Sequence, residues 1–309
     1  MFTKVRPGQS GNEATIERLS AASTRRIIEP DTDLTGQVGP GQVMPDELLS
    51  VTGLGIELSA EQRAQLSREE LAAIISEGIR FEAVLMAGFG MALAQTKKLT
   101  GPQITYALHE LGEETRHSRM FVRLLEQLGA TAVSPFDHGI HGVVKRWILR
   151  AVIHYPAMFC VLVLAGEEIP DLIQRRTGEH PDTDPFVRAV NRYHRQEEAR
   201  HLAFARVQLP ELWAGSDFLQ RWRVRHLAPL VILLMFAMLI HPGVYEAVGL
   251  PGWPTWWRAQ RSEHTVALRH DAIRPVLAAV QKSGAFGRRA VPWGWRRLAG
   301  TDRAGRPVS

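Results

Sequence analysis

The chain has 309 residues, 45% of them hydrophobic and 22% charged, with a formal net charge of +5. That balance is ordinary for a soluble globular protein able to bury a sizeable core, as one large domain or two small ones. The single Cys160 excludes an internal disulfide and fits a reducing compartment. Lys4, Lys97, Lys98, Lys145 and Lys282 are the only lysines, so the positive excess is almost all arginine. A nucleic-acid reading needs a basic stripe with interleaved aromatics. The nearest candidates are Arg221–Arg225 and the Arg288–Arg306 region, and arginine-rich composition is the preferred explanation, so no nucleic-acid partner is expected.

Residues 1–58 are polar and rich in Gly, Pro, Ser and Thr. They read as an N-terminal arm with one amphipathic helix over Glu13 to Ile28 and an extended stretch at 29–46. No apolar core of a signal peptide is present, so a cytoplasmic location is expected. Residues 59–285 read as a helical bundle domain. Ser67-Arg-Glu-Glu70 has the form of a capping box and predicts a helix running to about Lys98. Leu99-Thr-Gly-Pro102 is a tight break, and the next helix reads from Pro102 to about Leu128, ending at Gly129. A third long helix reads from Val143 to about Arg176, with bends or breaks expected at Pro156 and Pro170. Asp184-Pro185 opens a fourth helix that reads to about Leu209. Further helical pattern covers 214–240 and 257–282, and 286–309 reads as a flexible tail. The apolar run Leu227 to Ile240 is short for a membrane span and reads first as a buried helix, with shallow membrane contact as the second reading. No segment shows β alternation, so the fold class is all-α: two helix hairpins with additional N- and C-terminal helices.

Two words in this frame nearly repeat. Glu113-Glu114-Thr115-Arg116-His117 and Glu197-Glu198-Ala199-Arg200-His201 lie 84 positions apart. Each contains Glu-x-x-His, and residues three apart share a helix face. Carboxylate and imidazole on one face of each of two helices are ligands that iron or manganese takes. Glu110 and His194 extend the two sets by one turn, at equivalent places. Arg116 and Arg200 point off that face, where they can pair with other carboxylates.

The partner helices carry their own acids in apolar surroundings. Glu82 sits in Phe81-Glu-Ala-Val-Leu-Met-Ala-Gly-Phe89, and an unpaired buried carboxylate is costly. At 1.5 Å per residue it comes level with Glu114 across a hairpin. Glu167 and Glu168 follow the run Phe159 to Gly166. The interval from Glu82 to Glu114 is 32 and from Glu167 to Glu198 is 31, a slight preference for Glu167 that leaves Glu168 open. Glu82, Glu114, His117, Glu167, Glu198 and His201 then match the four-Glu, two-His inventory of a di-iron carboxylate bundle. His194 can reach the same centre. Candidate pocket liners are Phe81, Met86, Phe89, Met158 and Phe159.

Glu-x2-His in one helix followed by His-x3-Glu-x2-His in a later one resembles the p-aminobenzoate N-oxygenase family of di-iron oxygenases. The resemblance covers roughly residues 65–210. It implies a ferritin-like four-helix core and a ligand set of Glu82, Glu114, His117, Glu167, His194, Glu198 and His201, with Glu110 as a supporting residue. Glu167 precedes His194 by 27, in keeping with the family spacing. The resemblance also implies two Fe ions, with Mn/Fe as a variant, O2 as co-substrate and oxidation of an amine nitrogen. No nucleotide-binding glycine motif is visible, so an external electron donor is expected. The rival readings are a di-iron or Mn/Fe oxidase acting on C–H bonds of an apolar substrate, a ferritin-like iron-storage protein and a metal-free bundle. A homodimer and weak peripheral membrane contact are secondary expectations.

Overall fold

The computed structural model describes residues 10–25 and 27–308, and every named element among them is helical. In chain order these are α1 (Ser10–Arg25), α2 (Pro30–Asp33), α3 (Ala60–Gln95), α4 (Pro102–Leu128), α5 (Gly139–Val152), α6 (Pro156–Glu179) and α7 (Pro185–Ala214). There follow α8 (Phe218–Trp222), a π-helical turn (Arg223–Leu227), α9 (Ala228–Met238), α10 (Pro242–Ala247), α11 (Gly252–Arg261), α12 (Glu263–Lys282) and α13 (Trp293–Ala299). The fold is all-α, as the absence of β alternation implies.

The start of α3 differs from the expected one. Ser59 caps it, its Oγ accepting the Gln62 N–H at 3.2 Å while Gln62 Oε1 accepts the Ser59 N–H at 3.0 Å. Ser67 and Glu70, which have the same spacing, lie inside the helix. Ser67 Oγ accepts the Val43 N–H, and Glu70 accepts the Ser50 N–H, so both tie the preceding loop to α3. Gly101 (φ 122°) makes the turn into α4, Pro102 occupies its first position, and Gly129 (φ 62°) ends it in the left-handed region.

The helix expected over 143–176 is two helices. Pro156 has no N–H to donate to a preceding turn, and the chain bends by 119° between Lys145–Val152 and α6. Pro170, by contrast, sits inside α6 without ending it. Every residue from Ala157 to Ile169 is buried. At roughly 1.5–3 kcal/mol for each large apolar side chain, that packing outweighs the ~3 kcal/mol cost of an internal proline. α7 likewise continues through Pro210 to Ala214.

α3 and α4 form one hairpin and α6 and α7 the other, with α3 against α6 and α4 against α7 closing the bundle. The α3–α6 contact is reciprocal. Gly88 on α3 receives the Phe159 ring, and Gly166 on α6 receives the Phe81 ring; a Cβ at either glycine would collide with that ring. Phe81 precedes Glu82 and Gly166 precedes Glu167, so the second of these contacts sets the two acid-bearing turns side by side.

The remaining helices cover this core. α1 lies on α4 and α7 with Ile16 buried; of the helix expected to Ile28, residues 27–28 are not helical, and Arg26, like residues 1–9, lies outside the described residues. The stretch at 29–46 holds the short α2 and buries Val43 and Met44. The 286–309 segment is not a loose tail over its described length. α13 packs on α12 and α9, and buried Trp295 donates its indole N–H to the Val224 carbonyl at 3.0 Å. Its polar, glycine-rich flanks had masked one apolar anchor. The apolar run Leu227 to Ile240 is only half buried: Ala228, Ile232 and Phe236 face the core, while Leu230, Leu233 and Leu234 are exposed.

Candidate metal centre

The side chains that converge between the four bundle helices come from both repeated words. Glu114, His117, Glu198 and His201 are all buried, as are Glu82, Glu167, His194 and Glu110. Glu198 is central. Its Oε1 lies 3.2 Å from His117 Nδ1 and 3.3 Å from His194 Nε2, and its Oε2 lies 3.2 Å from His201 Nδ1. Glu114 spans the same two imidazoles, with Oε1 2.9 Å from His201 Nδ1 and Oε2 3.7 Å from His117 Nδ1. Glu82 Oε1 approaches His194 Nε2 at 3.5 Å. Three overlapping groups have ligand-type atoms close enough to share an ion: Glu82, His117 and His194; Glu114, His117 and Glu198; and Glu110, Glu114 and His201.

Glu167 and Glu168 part company. Glu167 turns toward Glu198 and the centre, whereas Glu168 pairs with Arg206 on α7. Glu110 is placed more closely than the supporting role expected of it, since it belongs to one of the three groups. Of the candidate liners, Phe81 and Phe159 face a cavity beside the centre, while Phe89 and Met158 belong to the hydrophobic core. Met86 does not line the cavity.

A support network surrounds these atoms, and sequence reasoning had not singled out its carboxylates. Glu197 on α7 accepts the His117 Nε2–H from α4 at 3.0 Å, and Glu113 on α4 accepts the His201 Nε2–H from α7 at 2.8 Å. Arg116 then reaches Glu197 at 3.3 Å and Arg200 reaches Glu113 at 2.6 Å. Each word thus supports the imidazole of the other. The signal was the doubled Glu in each word: the second faces the centre, and the first crosses to the opposite histidine. Holding Nε2–H fixes the tautomer and leaves both Nδ1 lone pairs directed inward. His194 is oriented the other way round, its Nδ1–H donating to Gln174 Oε1 at 2.8 Å and its Nε2 facing inward. Ser118 donates to Glu82 Oε2 at 2.5 Å.

The electrostatics separate the acids. Burial, reinforced by neighbouring carboxylates, pushes the Glu82, Glu110 and Glu167 carboxyls well above the usual range. Burial and mutual repulsion act on Glu114 and Glu198 as well, but His201 and the other imidazoles outweigh them and hold both below it. Burial also disfavours charge on His117 and His201, yet the surrounding carboxylates raise both well above the usual imidazole value. His194 is pushed down to about 4 by burial and by the charge of His117. Glu197 is held down to about 2, because the His117 hydrogen bond and the two arginines overcome its burial.

Both Glu114 oxygens, Glu198 Oε1, Glu110 Oε2, His117 Nδ1 and His194 Nε2 are buried without a hydrogen bond of acceptable geometry. The 2.9 Å approach of Glu114 to His201 is therefore a close contact of misaligned groups. Buried acceptors without partners cost on the order of 1–3 kcal/mol each, more when charged. Here they point at one another, and Arg116 and Arg200 engage Glu197 and Glu113 instead. Buried carboxylate oxygens and imidazole nitrogens aimed at one another, with neither Arg116 nor Arg200 spent on them, fit a pair of divalent ions.

Comparison with known proteins agrees with that fit. Uncharacterised proteins from Mycobacterium bovis and Mycobacterium tuberculosis are 27% identical over 240 residues, which cover 72% of this chain and 68% of each relative. A family profile described as p-aminobenzoate N-oxygenase AurF matches residues 9–284, well beyond the stretch that carries the ligand motifs. The chain belongs to this p-aminobenzoate N-oxygenase family of di-iron oxygenases.

Proposed function

We propose that the chain is a di-iron oxygenase that oxidises the nitrogen of an uncharged, largely apolar amine, with an arylamine as the first candidate. The observation that carries the reading is the convergence of buried, hydrogen-bond-free carboxylate and imidazole atoms beside an apolar cavity of about 360 Å³. Glu82, Glu114, His117, Glu167, His194, Glu198 and His201 would hold the two ions, with Glu110 at the edge of the set. When bound, iron would supply the electrons' path to O2 that no amino-acid side chain provides.

The residues around it set what can react. Glu113 and Glu197 keep the His201 and His117 rings in one tautomer, and Gln174 does so for His194. Glu82, Glu167, Gln174 and His194 form the polar floor of the cavity, and Phe81, Phe159, Leu162 and Val163 wall it. Those walls exclude water from the reacting atoms. The cavity also carries Arg80 and Lys145, but both are compensated. Lys145 Nζ lies 2.8 Å from Glu77 and 3.0 Å from Asp137, and Arg80 lies 2.6 Å and 2.8 Å from the same two acids. Among the described lining residues no uncompensated cation is placed to hold a carboxylate. This favours an amine without the acid group of p-aminobenzoate.

In the overall reaction an amine, O2, two electrons and two protons give a hydroxylamine and water. One oxygen atom forms the N–O bond, the other leaves as water, and an external reductant is oxidised. The apolar walls also support a second reading, oxidation of a C–H bond to an alcohol with the same electron demand.

The test is anaerobic loading with Fe(II), iron counting, then exposure to O2 with a reductant and an uncharged arylamine. About two irons per chain and a product gaining one oxygen on nitrogen support the proposal. Oxygen on carbon favours the second reading. Many irons per chain indicate storage, and no iron uptake removes every metal-based reading.

A further inference from the structure

The cavity reaches the surface between α5 and α9, and the rim there is built unlike the rest of the molecule. Ile140 and Trp147 on α5 are 74% and 70% exposed. On the other side Leu234 is exposed with its neighbour Leu230, and further back along the same helical arm Trp222 and Phe218 are exposed as well, Phe218 at 81%. Ile140 and Leu234 also line the cavity, so its wall is continuous with the apolar surface. Such a patch on a protein surface marks an interaction site.

The two helical segments of this face carry basic residues and no acid; Asp137 and Asp217 flank them, and Asp137 is paired with Lys145 and Arg80. Residues 138–152 and 218–241 contain no Asp or Glu, but they contain Arg146, Arg150, Arg221, Arg223 and Arg225. Arg146 and Arg150 are exposed, and no ion pair involves either among the described residues. Arg223 lies over the Tyr155 ring at 3.8 Å, and Arg221 and Arg225 lie over Trp213 at 5.4 and 5.5 Å. These three are braced by rings, and no ion pair involves any of them among the described residues.

We propose that the face formed by α5 and the α8–α9 arm docks on the surface of a bilayer carrying anionic headgroups, with the cavity mouth against the apolar layer. Apolar side chains flanked by arginine are what an interfacial helix presents to such a surface. A twofold contact between copies of this chain would set the same arginines against one another. A spanning role for Phe218–Ala247, which is long and apolar enough to cross, conflicts with its packing. Val224, Ala228, Ile232 and Phe236 are buried in one core with α6 and α12, so the segment lies on the protein, not free of it. Delivery of the substrate from lipid rests on the oxygenase reading; the docking itself does not.

The experiment is cosedimentation of the full chain with vesicles of phosphatidylcholine containing about a quarter phosphatidylglycerol, with pure phosphatidylcholine as comparison. The expected result is sedimentation with the anionic vesicles, lost in neutral ones and on raising the salt. Trp147→Glu and Leu230→Glu, at exposed positions that do not line the cavity, should each lower partitioning about tenfold. Arg146→Glu and Arg150→Glu should each lower it at least about fivefold. Iron per chain in Trp147→Glu should equal that of the unaltered protein, which separates failure of docking from failure of the metal site. The proposal is overturned if the chain stays in the supernatant with anionic vesicles, or if Trp147→Glu binds them unchanged. It is also overturned if the lipid-free chain is a dimer that Trp147→Glu disperses.

Discussion

The α3–α4 and α6–α7 hairpins carry the same devices and differ at one position. Each contributes a Glu from an apolar helix, a Glu-Glu-x-x-His word and an arginine that supports the other's acid. One turn before the second Glu, the first hairpin has Glu110 and the second His194. The surroundings follow that difference. Glu110 shares its end of the centre with Tyr106, Phe204 and Phe89, which pack in a closed core. His194 borders the cavity together with Glu82, Glu167 and Gln174. A doubled plan therefore yields an asymmetric centre, with one end sealed and the other open to the cavity.

The largest effect should come from the residue both ends share. Glu198 touches all three imidazoles, so Glu198→Ala should lower iron content from about two ions per chain to below about one. Iron analysis after desalting measures this, and full retention would show that Glu198 is no ligand. Replacing the two unlike residues tests the asymmetry itself. His194→Ala should preserve helicity and reduce single-turnover product about tenfold to hundredfold. Glu110→Ala, at the sealed end, should reduce it less. Equal losses would mean that the open and closed ends are not functionally distinct.

The supporting acids should give smaller and matched effects. Glu113→Gln and Glu197→Gln each replace a charged acceptor of a histidine N–H by a neutral one. Each should weaken metal binding by about 10- to 100-fold, read by competition with a chelator. Because the supports are exchanged between hairpins, the two losses should be alike. A loss confined to one variant would show that only one of the two words depends on its partner's support.

The legible part of this arrangement was the part written in helical spacing. Glu-x-x-His and the interval of about 30 residues back to an acid in an apolar run both follow from 3.6 residues per turn and a hairpin. The all-α class and the α4 boundaries at Pro102 and Gly129 were readable for the same local reason. What spacing could not show was which helix answers which. Glu113 and Glu197 look like solvated charges on their own helices, and only the packing of α4 on α7 reveals them as partners of the opposite histidines. Ser59 and Ser67 both begin a valid capping box, and the choice was made by tertiary partners, Val43 and Ser50, that claim Ser67 and Glu70. α13 was hidden because a seven-residue helix with one buried Trp has too little periodicity to detect.

Glu70 provides the control for all these buried acids, because it has what Glu114 lacks. Both its oxygens accept the Ser50 N–H, at 3.2 and 3.0 Å, and Oε1 accepts the Ser50 hydroxyl at 2.5 Å. Ser50 Oγ in turn lies 2.8 Å from Tyr245 Oη. Ser50 and Tyr245 are the groups that face it, and among the described residues no cation pairs with it. Burial pushes its carboxyl up to about 7, against a usual value of 4.5, with the Ser50 bonds opposing the shift. A group whose pKa rises on folding favours the native state fully below its unfolded pKa and loses that contribution as pH climbs through the folded value. Between pH 5 and 8 the loss is on the order of 2 kcal/mol. Glu70→Gln keeps an acceptor for Ser50 and cannot ionise, so its stability should fall less over that range. Urea unfolding of metal-free protein and variant measures the difference, in which the titration of the distant centre cancels. Parallel stability curves would show that Glu70 stays ionised in place.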